Sequence, residues 1–87
     1  MSGADESLIE FPSDLPIKVF GRNDPGFRGA VLAIVEAHYG AVYTVAEQES
    51  KQGSYVSLTV TVRAESRVQI DALYRDLVAS DLVLMAL

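Results

Sequence analysis

The spacing of apolar residues along this chain changes from a period of 2 to a period of 3.6 and back, twice over, and few folds accept that alternation. Val56, Leu58, Val60 and Val62 alternate with Ser57, Thr59, Thr61 and Arg63. Such a run is a strand with one buried and one polar face. Ile17 and Val19 share a face of a shorter, earlier strand over 17–21. Phe27, Ala30, Val31, Ile34 and His38 then recur at helical spacing, as do Ile70, Leu73, Tyr74 and Leu77 further on. A strand over 43–50 joins the one over 55–63 through Lys51-Gln52-Gly53-Ser54, a hairpin signal. The last strand, 82–87, is apolar on both faces. Strand, helix, strand, strand, helix, strand is the order of the α+β, ferredoxin-like βαββαβ sandwich, a four-stranded antiparallel sheet with two helices on one face. Right-handed crossovers put the first and third strands in its middle.

Local chemistry marks the ends of the helices. Asp24 is placed to cap the first, with Pro25 at its first position, where a missing N–H costs nothing. Gly40 sits where a left-handed C-terminal cap belongs. Ser66 and Gln69 have the spacing of a capping box. The helices are therefore expected near 25–38 and 66–79. The expected core is Val31, Ile34, Val56, Leu58, Val60, Val62, Leu73 and Leu77. Residues 1–14 are small, polar and acidic and read as a mobile arm. Leu8, Ile9 and Phe11 are the exception, suited to pinning that arm to the body. Residues 15–87 form one domain.

Composition narrows the function. A chain of 87 residues holds one domain and one core. It has no cysteine, hence no disulfide and no thiolate metal site. Seven basic against twelve acidic residues leave a net charge of −5, the wrong sign for neutralising phosphates, so no nucleic-acid partner is expected. No apolar run approaches the ~20 residues of a membrane helix, and no membrane partner is expected. The first residues lack the basic and apolar regions of a secretory signal, which makes the cytoplasm the default compartment.

The stretch Val19-Phe20-Gly21-Arg22-Asn23-Asp24-Pro25-Gly26-Phe27 is the candidate ligand site. It reads as a strand that stops, a tight loop and a helix start. Free N–H groups and the positive end of the helix dipole converge there, which suits a carboxylate or another anion. Gly26 puts no side chain in the way. Asn23, Asp24 and Gly26 are the residues expected to bind. Asp24 opposes an anion if its own carboxylate caps the helix, and it can instead accept from an amino group. The plainer reading of the same residues is helix initiation alone. His38, the only histidine, reads as a packing or dipole-facing residue rather than a general base. Glu47 and Glu49 share a strand face, a poor cation site and a good protection for an edge strand. Phe20 and Tyr55 fall on the open sheet face, where RNA-recognition modules stack bases, but the third strand lacks their aromatic signature. Gly53 reads as a turn residue with positive φ. No catalytic residue, metal or cofactor is expected, because no nucleophile–base, metal-ligand or phosphate-loop spacing occurs.

The loop at Asn23 to Phe27 resembles the Asp-x-Pro-Gly loop of ACT domains, small modules that sense amino acids at domain interfaces. Nearly the whole chain resembles the YbeD-like family of small bacterial proteins of unknown function. That likeness rests on Ile9-Glu10-Phe11-Pro12, Lys18-Val19-Phe20-Gly21, Lys51-Gln52-Gly53-Ser54-Tyr55, Leu73-Tyr74-Arg75-Asp76-Leu77 and Val83-Leu84-Met85-Ala86-Leu87. The resemblance implies a free-standing relative of ACT regulatory domains, acting on a separate protein. The expectation is a non-enzymatic regulatory or interaction module. It would bind a small metabolite such as an amino acid, a partner protein, or both, and the alternative is a structural adaptor with no small ligand. A last strand apolar on both faces exposes one set of side chains unless the arm or a second copy covers it, so a homodimer is also expected.

Overall fold

The computed structural model describes residues 10–87. Its elements are β1 (Ser13–Arg22), α1 (Phe27–Tyr39), β2 (Tyr43–Glu49), β3 (Tyr55–Ala64), α2 (Arg67–Ala79) and β4 (Met85–Ala86). The sheet order is β2-β3-β1-β4, every neighbouring pair antiparallel. This is the ferredoxin-like βαββαβ fold, with β1 and β3 central as the crossover rule requires. The expected pinning residues Leu8 and Ile9 lie outside the described residues, whereas Phe11 packs on the core.

Ile17, Val19, Leu58, Val60 and Val62 point from the central strands towards the helices and are buried. Phe27, Val31 and Val35 from α1 and Ile70, Leu73 and Leu77 from α2 close over them. Ile34, expected in the core, is half-buried on its flank, and Val35 takes the buried place. The α1 stripe that meets the sheet thus runs in steps of four from Phe27. No polar or charged residue is buried as a whole among the described residues, although the hydroxyls of Ser13 and Tyr39 are enclosed.

β1 opens at Ser13, inside the expected arm and ahead of the expected start at 17. Pro16 explains why sequence reasoning stopped short. Lys18 exchanges both backbone hydrogen bonds with Leu87, at 3.0 and 2.8 Å, so the even residues of β1 turn their amide groups away from β3. Pro16 belongs to that set, on a stretch where no described residue forms a neighbouring strand. Its missing N–H therefore breaks no ladder bond.

β4 is shorter than the expected 82–87. Ser80 caps α2 through its backbone, and Val83 N donates to Ser80 O at 3.1 Å, so a turn occupies the first residues. Leu84 N donates to Phe20 O, and Leu87 N to Lys18 O, each at 2.8 Å. The acceptors are two residues apart on β1 and the donors three apart on β4, the mark of a β-bulge. The bulge breaks the expected alternation. Val83 is buried, and Leu84 and Met85 are both exposed.

Candidate functional site

The 23–26 loop is tied down from two directions. Asn23 N donates to Ser54 O at 2.9 Å, and Asn23 Nδ2 donates to Gly53 O at 2.9 Å and, more weakly, to Glu49 Oε2 at 3.4 Å. Asn23 thus fastens the end of β1 to the β2–β3 hairpin. Gly53 has φ of +75°, the left-handed geometry expected of this turn residue. Asp24 Oδ1 accepts from Gly26 N at 2.7 Å, and Asp24 O accepts from Phe27 N at 3.0 Å. Asp24 is therefore not the expected N-cap: that position is Gly26, which has no side-chain cap bond, and the Asp24 carboxylate instead closes a local turn onto the Gly26 amide. α1 starts at Phe27, not Pro25, because Pro25 and Gly26 form the intervening turn.

The three sequence-derived site residues do sit together at one end of the sheet. Two of the donors offered to an anion, the amides of Gly26 and Phe27, already have Asp24 as partner. Gly26 is exposed with φ of −86°, a conformation open to any residue. The glycine that packing requires here is Gly21. A Cβ on it would stand 2.2 Å from a Phe27 ring carbon and 2.6 Å from Leu82 O. Periodicity missed this, since Gly21 looks like the end of a strand; the only signal was a glycine facing the same side as Ile17 and Val19.

Beside the loop, the open sheet face carries a shallow depression lined by Lys18, Phe20, Gln48, Ser50, Tyr55 and Ser57, with Glu49 and Val56 at its hairpin end. The register places Phe20 opposite both Ser57 and Met85, and Arg22 opposite Tyr55. The Arg22 guanidinium lies 5.9 Å from the Tyr55 ring centroid, within cation–π range. Phe20 and Tyr55 thus share the open face, as their strand positions imply.

Other polar residues pair across elements. Glu47 and Glu49 lie on edge strand β2 and face the helix side, opposite Leu58 and Val56. Arg28 Nη1 meets Glu47 Oε1 at 2.8 Å, clasping α1 to that edge. His38 Nε2 lies 2.7 Å from Asp76 Oδ2 and links the two helices. Tyr43 donates its hydroxyl to Glu36, which holds its pKa above the usual phenol value. Among the described residues no three His, Asp or Glu side chains gather as a metal site would require. No helix there is long and apolar enough to cross a membrane.

A family model described as a protein of unknown function, DUF493, matches residues 6–87. The chain belongs to the DUF493 family. A UPF0250 protein of Nitrosomonas europaea is 43% identical over 86 residues, covering 95% of this chain and 98% of that protein. A UPF0250 protein of Paraburkholderia phytofirmans is 42% identical and the match covers both chains completely. The solution structure of protein HP0495 from H. pylori superposes with a TM-score of 0.77 over 91% of this chain and 85% of that one. At 14% identity that likeness concerns the fold alone. The YbeD-like resemblance read from the sequence points to this DUF493 and UPF0250 group of small bacterial proteins of unknown function, and the fold is compatible with the ACT-like one.

Proposed function

We propose that this DUF493 protein is a non-enzymatic regulatory or interaction module, acting by binding a small metabolite such as an amino acid, a partner protein, or both. The observation that carries the reading is the sheet face left uncovered by the helices. Phe20, Tyr55, Met85 and Leu87 lie on it, with Tyr55 46%, Met85 48% and Leu87 61% exposed. Apolar surface of this kind, rimmed by polar residues, marks binding. The 23–26 loop borders it. An amino acid bound at Asn23, Asp24 and Gly26 would have to take Asp24 away from the Gly26 amide, meeting its carboxylate with that amide and its amino group with Asp24. The adaptor reading draws on the same geometry, since these polar groups already satisfy one another. A homodimer belongs to the proposal as well, through exposed Leu84 at the β4 edge.

Backbone NMR titration with the amino acids separates the readings. Shifts confined to residues 22–28 support the metabolite site. No response to any amino acid, together with a specific partner retained from cell extract on the immobilised protein, supports the adaptor. Turnover of a substrate by the purified protein, abolished by one point substitution, overturns both.

A further inference from the structure

Charge on this molecule is not evenly spread. The outward positions of the four strands carry three cations, Lys18, Arg22 and Arg63, and one carboxylate, Asp14. Asp14 is taken up by Arg63 at 3.3 Å. No described carboxylate forms an ion pair with Lys18 or Arg22. By strand position the open face is thus positive in a chain whose net charge is −5, with the carboxylates at its rim: Glu49 at the end of the Lys18 depression, and Asp24 and Asp81 in a small hollow that Arg22 also lines. The two unpaired cations flank the aromatic pair, Lys18 next to Phe20 and Arg22 over Tyr55. Met85 continues the apolar strip onto β4 opposite Phe20.

We propose that this face docks an acidic, apolar segment of another protein, its apolar side chains lying on Phe20, Tyr55 and Met85 and its carboxylates meeting Lys18 and Arg22. The inference rests on the interaction-module reading and names the chemistry of its partner. Charge decides among occupants. A second copy set face to face across a two-fold axis would bring the same unpaired cations against each other, and like charges across an interface oppose association. Single-stranded nucleic acid would find aromatics and cations here. It would also meet exposed Met85 and Leu87 where a further cation would serve it better. An acidic apolar segment uses both parts of the surface. Arg22 also gains, since its guanidinium can face a carboxylate while its plane stays on Tyr55.

The test is an NMR and fluorescence-anisotropy titration of the full chain with three labelled probes: a peptide of alternating leucine and glutamate, the same peptide with lysine for glutamate, and a single-stranded RNA octamer. The acidic peptide is expected to shift the amides of Lys18, Phe20, Arg22, Tyr55 and Ser57. Its affinity should fall with added salt and drop about tenfold in the exposed double variant Lys18→Glu, Arg22→Glu, because rim charges act mainly through complementarity. Absence of binding, equal binding of the lysine peptide, or preference for RNA overturns the proposal. So does a sedimenting dimer that silences the same amides. If the acidic peptide shifts the helices instead, the docking face is wrong while the interaction-module reading stands.

Discussion

Gly21 and Gly26 sit five positions apart and answer to different physics. At Gly21 a methyl group would collide with the Phe27 ring and the Leu82 carbonyl, and neither can move without opening the core. Gly21→Ala should lower stability by about 1–3 kcal/mol, the cost of overpacking. At Gly26 the nearest atom is the tip of Asp24, at 3.3 Å, and the backbone is already α-helical, so Gly26→Ala should be close to neutral. Urea unfolding of the two variants checks both; equal effects would refute the assignment of Gly21 as the packing glycine. Asn23→Ala removes the side-chain bond to Gly53 and should cost about 0.5–1.5 kcal/mol. Hydrogen exchange should then quicken first in the 50–54 turn.

Each helix is held by a different kind of contact. α2 begins with Ser66 Oγ accepting from Gln69 N at 3.2 Å, while Gln69 Oε1 accepts from Glu65 N at 2.8 Å. The capping box therefore reaches one residue further back than its usual form, with the amide of Glu65 satisfied in place of that of Ser66. Ser66→Ala should cost about 1 kcal/mol of stability in thermal or urea melts. α1 has no side chain bonded at its own N-cap, Gly26. Its start depends on Asp24 and on burial of Phe27, which is 1% exposed. Both helices lean on the same interior, so truncation of Leu73 on α2 or Val60 on β3 to alanine should cost about 1–4 kcal/mol. A loss of helical circular dichroism with no change in the unfolding midpoint would contradict this shared core.

For the molecule as a whole, alkaline pH acts on three tyrosines. Burial raises the pKa of Tyr39 and Tyr74 above the ordinary 10.0, and the hydrogen bond to Glu36 raises that of Tyr43. A raised phenol pKa means that the folded chain keeps its proton after the unfolded chain has lost it. Stability should be unaffected by these groups below pH 10 and fall as pH climbs through the folded values. Denaturation midpoints recorded from pH 8 to 12 check the direction, and a rise over that range would reverse it. Whole-molecule charge works alongside: the chain carries a net −5, while the outward strand positions carry more cations than carboxylates.

What the sequence determined by itself is the order of elements, the ferredoxin-like topology, the turn at Gly53, the Ser66–Gln69 start and the cap position at Gly40, where φ is +70° but ψ of −159° departs from the left-handed helical geometry expected. Each is carried by residues within a few positions of one another, through period, capping and backbone freedom. The Asn23, Asp24 and Gly26 cluster was legible for the same reason, being one continuous loop. Tertiary structure alone decided what those residues touch. Asn23 is bonded to a carbonyl thirty positions away, Gly21 is pressed between Phe27 and Leu82, and Pro16 is tolerated because β4 stops short of it. It also gathered Lys18, Arg22 and Arg63 onto one face of an acidic chain. Contacts across the sheet depend on register and on where neighbouring strands end, and a pattern read along one segment carries neither.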